Sequence, residues 1–250
     1  MRIIDNGTLK IINVDSSADL AGEALNIFVN RAQEAIAAKD IFHVAIPGGH
    51  TPREFFELIS HTEKAKVLPW NKIQLFWVDE RCVDVDSKDS NYKLAAETFL
   101  SEILIPAQNI HRIHGESSDY IEAAGDYEKT ISSIFSLEPG QLPKFDLIIL
   151  GMGPDGHIGS LLPNSYALFD TEDLVSVVYQ MDGIDRITLT HPVLCAADNL
   201  VIMVTGREKA EIVREVFREE PDEIKYPVHT LWQILDKVTW LIDKDAATYL

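Results

Sequence analysis

The chain has 250 residues, of which 46% are apolar and 25% charged, ordinary globular usage that excludes fibrous, collagen-like and disordered classes. Its 22 Lys and Arg against 40 Asp and Glu give a net charge of −18, which repels nucleic acid and anionic membrane surfaces, so neither is expected as a partner. A small anionic substrate then requires a few cations gathered locally against that background.

The opening stretch MRIIDNGTLKIINVD has no cleavable apolar core. No apolar run reaches the roughly 18 residues that a membrane-crossing helix needs. Cys82 and Cys195 are the only cysteines and form no C-x-x-C pair, so neither a zinc ribbon nor a disulfide framework is indicated. A reduced, cytoplasmic, unexported protein is the expectation.

In chain order, Leu20, Ala24, Ile27, Phe28, Ala35 and Ile36 recur at helical spacing and predict an amphipathic helix over 17–38. The short apolar runs 42–46, 73–78, 145–150, 200–205 and 238–242 predict strands buried on both faces. Helical patterns near 52–61, 90–104, 119–135 and 207–218 lie between them. The alternation predicts an α/β fold with a mostly parallel sheet flanked by helices. No repeat or Ser/Gly/Pro-rich linker interrupts it, so residues 1–250 read as one domain.

In open α/β sheets ligands bind at the carboxyl ends of strands, and three predicted strand ends carry unusual residues. The first is PGGHTPREFF. Gly48 and Gly49 permit a tight turn, and Thr51, Pro52 and Glu54 read as N-cap, first helical residue and capping-box acid. Exposed N–H groups before a helix make an anion cradle, although the same glycines can serve the turn alone. Walker and dinucleotide-binding spacings are both missing. The second end, VDERCVDVDSKDSNY, places Asp79, Glu80 and Arg81 where a strand stops, either as a loop ion pair or as ligand contacts. Asp84, Asp86 and Asp89 do not form a calcium loop, because its glycine and closing glutamate are absent. Asp89 or Ser90 is the expected cap of the following helix. Cys82 has no base beside it and is a poor nucleophile.

The third end, LIILGMGPDGHIGSLLP, contains Gly151, Gly153 and Gly156, with His157 two residues after Asp155. A histidine can take a proton from water if a partner fixes its tautomer, and Asp155 is the candidate partner. Ser160 lies outside any G-x-S-x-G elbow and is expected to cap or pack, so water is the expected nucleophile.

Taken together, PGGHTP, FWVDERCV…DSNY, FDLIILGMGPDGHIGSLLP, RITLTHPVL, VTGREKA and VTWLIDKDAA resemble, in order, the blocks of 6-phosphogluconolactonases over roughly residues 20–250. The resemblance implies hydrolysis of 6-phosphoglucono-δ-lactone in the oxidative pentose phosphate route, without metal or cofactor. It also implies the modified Rossmann-like sheet shared with glucosamine-6-phosphate deaminases. By the resemblance, His157, Asp155, Asp79 and Arg81 are catalytic candidates, and Gly48, Gly49, His50 and Thr51 bind phosphate together with Arg186 and Lys209. It leaves open whether the enzyme stands alone or works beside the glucose-6-phosphate dehydrogenase that makes its short-lived substrate.

Two rival readings share these residues. A deaminase needs a glutamate five residues after the histidine, where this chain has Leu162. Ile158 is deaminase-like, whereas Ser160, Leu161 and Pro163 side with the lactonase. Gly159 and His50 depart from the usual lactonase alanine and Ser/Thr. A non-catalytic sugar-phosphate-binding protein on the same scaffold need not keep Asp155, His157, Asp79 and Arg81 together.

Overall fold

The apolar runs pair as strands because each can bury both faces under amphipathic helices: Phe42–Ile46 and Leu200–Val204 are buried at every residue. The computed structural model describes residues 2–5, 9–181 and 183–250. In chain order the elements are β1 (Arg2–Asp5), β2 (Lys10–Val14), α1 (Ser17–Lys39), β3 (Phe42–Ile46), α2 (Arg53–His61), α3 (Glu63–Lys66), β4 (Ile73–Trp77), β5 (Asp79–Arg81) and α4 (Asn91–Ala95). There follow β6 (Ile110–His111), α5 (Tyr120–Phe135), β7 (Leu147–Gly151), β8 (Val175–Val178), β9 (Arg186–Leu189), α6 (His191–Ala196), β10 (Leu200–Val204), α7 (Ala210–Arg218) and β11 (Val238–Asp243).

The main sheet has the order β1-β2-β11-β10-β7-β3-β4-β6 and is parallel from β2 to β6. β1 runs antiparallel to its neighbour β2. From β3 the chain steps outward through β4 and β6, then returns to β7 on the other side of β3 and steps through β10 to β11. The strand order therefore reverses between β3 and β7, and in open α/β sheets the carboxyl ends of the strands at such a switch point are where ligands bind. The loops after β3 and β7 are the two glycine-rich stretches.

A second sheet, β5-β9-β8, is antiparallel. Val78 joins the two sheets, its N–H donating to the Ile46 carbonyl (2.9 Å) and its carbonyl accepting from the Leu189 N–H (2.8 Å). The preceding Trp77 is clamped at both backbone groups: its N–H donates to the Tyr127 hydroxyl (3.0 Å), which donates in turn to the Trp77 carbonyl (2.8 Å). This fixes where Asp79–Arg81 leaves the main sheet.

Local signals set most helix starts. Ser16, Ser90 and Asp119 cap α1, α4 and α5 with side-chain acceptors, and Asp40 ends α1 in the left-handed region at φ 65°. The helix expected over 90–104 is shorter. After α4 it widens into a π turn at Ala96–Leu100, where the Thr98 hydroxyl bonds back to the Leu94 carbonyl (2.6 Å) and Phe99 is buried against Phe56. Among the described residues no helix is long and apolar enough to cross a membrane.

Candidate active site

The loop after β7 is built to present one histidine. Gly153-Pro154-Asp155-Gly156 is a β-turn, closed by the Gly156 N–H on the Gly153 carbonyl (3.2 Å), with Gly156 at φ 80°. The Gly153 N–H donates to the His157 carbonyl (2.8 Å), and the Val228 N–H anchors the turn at the Gly156 carbonyl (2.9 Å). A Cβ on Gly153 would overlap the His157 ring, so glycine at 153 lets the imidazole lie over the turn.

His157 Nδ1 lies 2.5 Å from Asp155 Oδ1. An ionised carboxylate can only accept, so Nδ1 carries the proton and Nε2 is the free base. Nε2 has no partner among the described residues, and the side chain is 21% exposed. Burial works to raise the Asp155 carboxyl, but the hydrogen bond from His157 and its charge outweigh burial, and the net direction is down. The expected Asp155–His157 pairing is therefore formed.

The loop after β3 runs alongside. Gly49 sits at φ 87°, and the N–H groups of residues 48–51 donate to no acceptor among the described residues. Free N–H groups just before α2 are donors of the kind that can meet an anion. A Cβ on Gly48 would overlap the Asn91 amide, so this glycine is required by close approach. The capping box is not formed. α2 starts at Arg53 after Pro52, with no side-chain cap, and Glu54 instead accepts from Ser17 Oγ (3.0 Å). Thr51 Oγ1 pairs with Thr205 Oγ1 across 3.3 Å, a tertiary contact that removes it from the helix end and ties this loop to the end of β10. His50 is exposed and lines a concavity together with Gly49, Arg53 and Arg81.

Two half-buried cations complete the crevice. The Gly206 N–H donates to both Asp243 oxygens (3.2 and 3.0 Å), which holds the turn leading to Lys209. Lys209 Nζ donates to the Met152 carbonyl (2.9 Å) beside the histidine loop. Arg186 starts β9, where it is the register partner of Arg81. Burial lowers the pKa of both cations, while Asp155 acts in the opposite direction on each. Lys209 and Arg186 thus each feel the Asp155 charge.

The alternative left open for Asp79 and Arg81 resolves against an ion pair between them. Arg81 Nη1 donates to the Asp89 carbonyl (2.8 Å), and its buried Nε has no hydrogen-bond partner among the described residues. Asp79 is only 5% exposed and accepts from Ser160 Oγ (2.6 Å) and Asn91 Nδ2 (3.3 Å). Each of its carboxylate oxygens thus accepts one of these bonds, which ties it to the loop after β7 and to α4. Glu80 is buried as well and accepts from the N–H groups of Arg81, Asn91 and Tyr92 (2.7–2.8 Å). Burial raises its pKa against those bonds. Burial, reinforced by Asp185 and Glu80, pushes the Cys82 thiol up to about 12, so it is no nucleophile.

The residues that sequence reasoning undervalued are Ser160 and Asn91. Ser160 is fully buried; its N–H donates to Thr188 Oγ1 (3.1 Å), and its hydroxyl bridges Asp79 to Arg186 Nη1 (3.4 Å). Asn91 links the Asp79 carbonyl (2.9 Å) to the back of Gly48. Gly159, at φ 54°, leaves space against Val78 and Thr188 that an alanine Cβ would enter at 3.0–3.1 Å. Ile158 is buried and bridges Met152 and Leu161, away from the polar groups, and Leu162 packs on the core.

Comparison with known proteins agrees with this architecture. The pattern of the family described as glucosamine-6-phosphate isomerases/6-phosphogluconolactonase matches residues 15–240. A 6-phosphogluconolactonase of Synechocystis is 36% identical over 231 residues, covering 92% of this chain and 94% of that protein. One of Nostoc is 35% identical over the same shares. The solved 6-phosphogluconolactonase of Trypanosoma brucei superposes with a TM-score of 0.85 at 25% identity, over 96% of this chain and 98% of that one.

Proposed function

The chain belongs to the glucosamine-6-phosphate isomerase/6-phosphogluconolactonase family, and from that membership we propose that its crevice hydrolyses 6-phospho-D-glucono-1,5-lactone to 6-phospho-D-gluconate. The observation that carries the reading is the Asp155–His157 pair at 2.5 Å, with Nε2 free beside an uncommitted backbone cradle and two half-buried cations.

The phosphate rests on the N–H groups of residues 48–51 and is neutralised by Lys209 and Arg186, which positions the lactone carbonyl near His157. His157 Nε2 takes a proton from water as its oxygen bonds to C1. Arg81 or the loop N–H groups steady the developing oxyanion. The C1–O5 bond then breaks, O5 takes the proton from His157, and the new carboxylic acid ionises to release one proton. Asp155 orients the imidazole and stabilises its charged form. Asp79 acts one layer away, through Ser160 on Arg186 and through Asn91 on Gly48.

A deaminase on the same scaffold is the rival, and Leu162 stands where its resemblance requires a carboxylate. No ammonia release from glucosamine 6-phosphate is therefore expected, even at high enzyme concentration, in an assay run beside lactone opening. Clear turnover of the amino sugar would reverse the ranking of the two reactions.

A further inference from the structure

Between the start of α2 and the chain leading into α4 lies a second cleft of about 250 Å³, lined by Gly49 but not by His157. Arg53, Arg81, Lys88 and Lys93 line it, against two acids, Asp89 and Glu97. In a chain with 40 acids and 22 Lys and Arg, such an excess of cations in one concavity is unusual. Their commitments differ. Lys93 Nζ donates to the Asp86 carbonyl (2.5 Å) and lies 3.7 Å from Glu97, and Arg81 is held by the Asp89 carbonyl. The side chains of Arg53 and Lys88 form no hydrogen bond or ion pair among the described residues, and Arg81 Nε is buried without an acceptor among them. Like charges held together in a recess repel one another unless an anion neutralises them. His157, Arg186 and Lys209 do not line this cleft.

We propose that the Arg53–Lys88 cleft is a second phosphate subsite, which takes a phosphate dianion additional to the one carried by the sugar. The size of the cleft suits a phosphoryl group rather than a whole nucleotide, and the guanidinium and ammonium groups that line it suit its charge and its several acceptor oxygens. Gly49, His50 and Arg81 belong to both sites, so an ion in the cleft sits beside the bound substrate. The proposal rests on placing the sugar phosphate at residues 48–51 with Lys209 and Arg186.

Equilibrium binding of inorganic phosphate, counted per chain, tests it without turnover. The wild type is expected to bind two phosphates. The Arg53→Ala/Lys88→Ala double variant, altered only at exposed side chains, is expected to weaken one of them by about 10- to 100-fold and keep the other. Lys209→Ala is expected to do the converse. Repeating the titration with methyl phosphate separates sources: two sites retained assign the cleft to phosphomonoesters, and one retained assigns it to the free ion. A single wild-type site that is lost in Lys209→Ala would overturn the second subsite while leaving the substrate reading intact. A double variant with a raised KM for the phosphorylated lactone alone would place the sugar's own phosphate in the cleft and overturn both placements.

Discussion

His157→Asn is expected to lower kcat by about 10²–10⁴-fold, the usual scale for loss of a general base, with KM and folding little changed. Asparagine can keep a donor toward Asp155, but it has no nitrogen able to take a proton from water. The side chain is 21% exposed and lies on a turn held by its own backbone bonds and by Val228, so no core packing is lost. Steady-state kinetics on the phosphorylated lactone, with circular dichroism as the folding control, measure the effect. Turnover near the wild-type rate would remove His157 from the chemistry. Asp155 would then be no more than a turn residue.

Lys209→Ala and Arg186→Ala are each expected to raise KM for the phosphorylated lactone by about 10- to 100-fold, from contacts of about 1.5–3 kcal/mol to a charged group. The net charge of −18 makes these contacts decisive, because at long range the protein repels a dianion and only close donors can hold it. Burial already lowers the pKa of both groups, so they stand partly stripped of water before the ligand arrives. Hydrolysis of unphosphorylated gluconolactone, which lacks the anchoring group, should scarcely change in either variant. Equal losses on the two lactones would mean that these residues act on the carbonyl or on the fold.

The parts of the molecule legible in the sequence are those whose signal is local. Continuous apolar runs identify β3, β4, β7, β10 and β11, because strands covered on both faces need no alternation. Asp155 and His157 can be paired on paper because they are two residues apart on a turn that Pro154 and Gly156 specify. β9 is different: its four residues, RITL, mix a cation and a hydroxyl with two apolar side chains, and only pairing with β5 and β8 makes them a strand. The Ser160–Asp79 bond is invisible for the same reason, since the two are 81 residues apart. Thr51 shows a local signal being overruled, as its hydroxyl turns from the helix it precedes toward Thr205, 154 residues away. The sequence motif was right about the place and wrong about the bond.

The most direct test of the central claim is acid release from freshly made 6-phosphoglucono-δ-lactone, followed by pH-stat against the spontaneous opening of the same solution. Catalytic amounts of the wild-type protein are expected to release one proton per lactone far faster than the buffer alone, with the excess rate proportional to enzyme and abolished in His157→Asn. Acid release at the spontaneous rate, whatever the protein concentration, would contradict the assignment of this crevice to lactone hydrolysis.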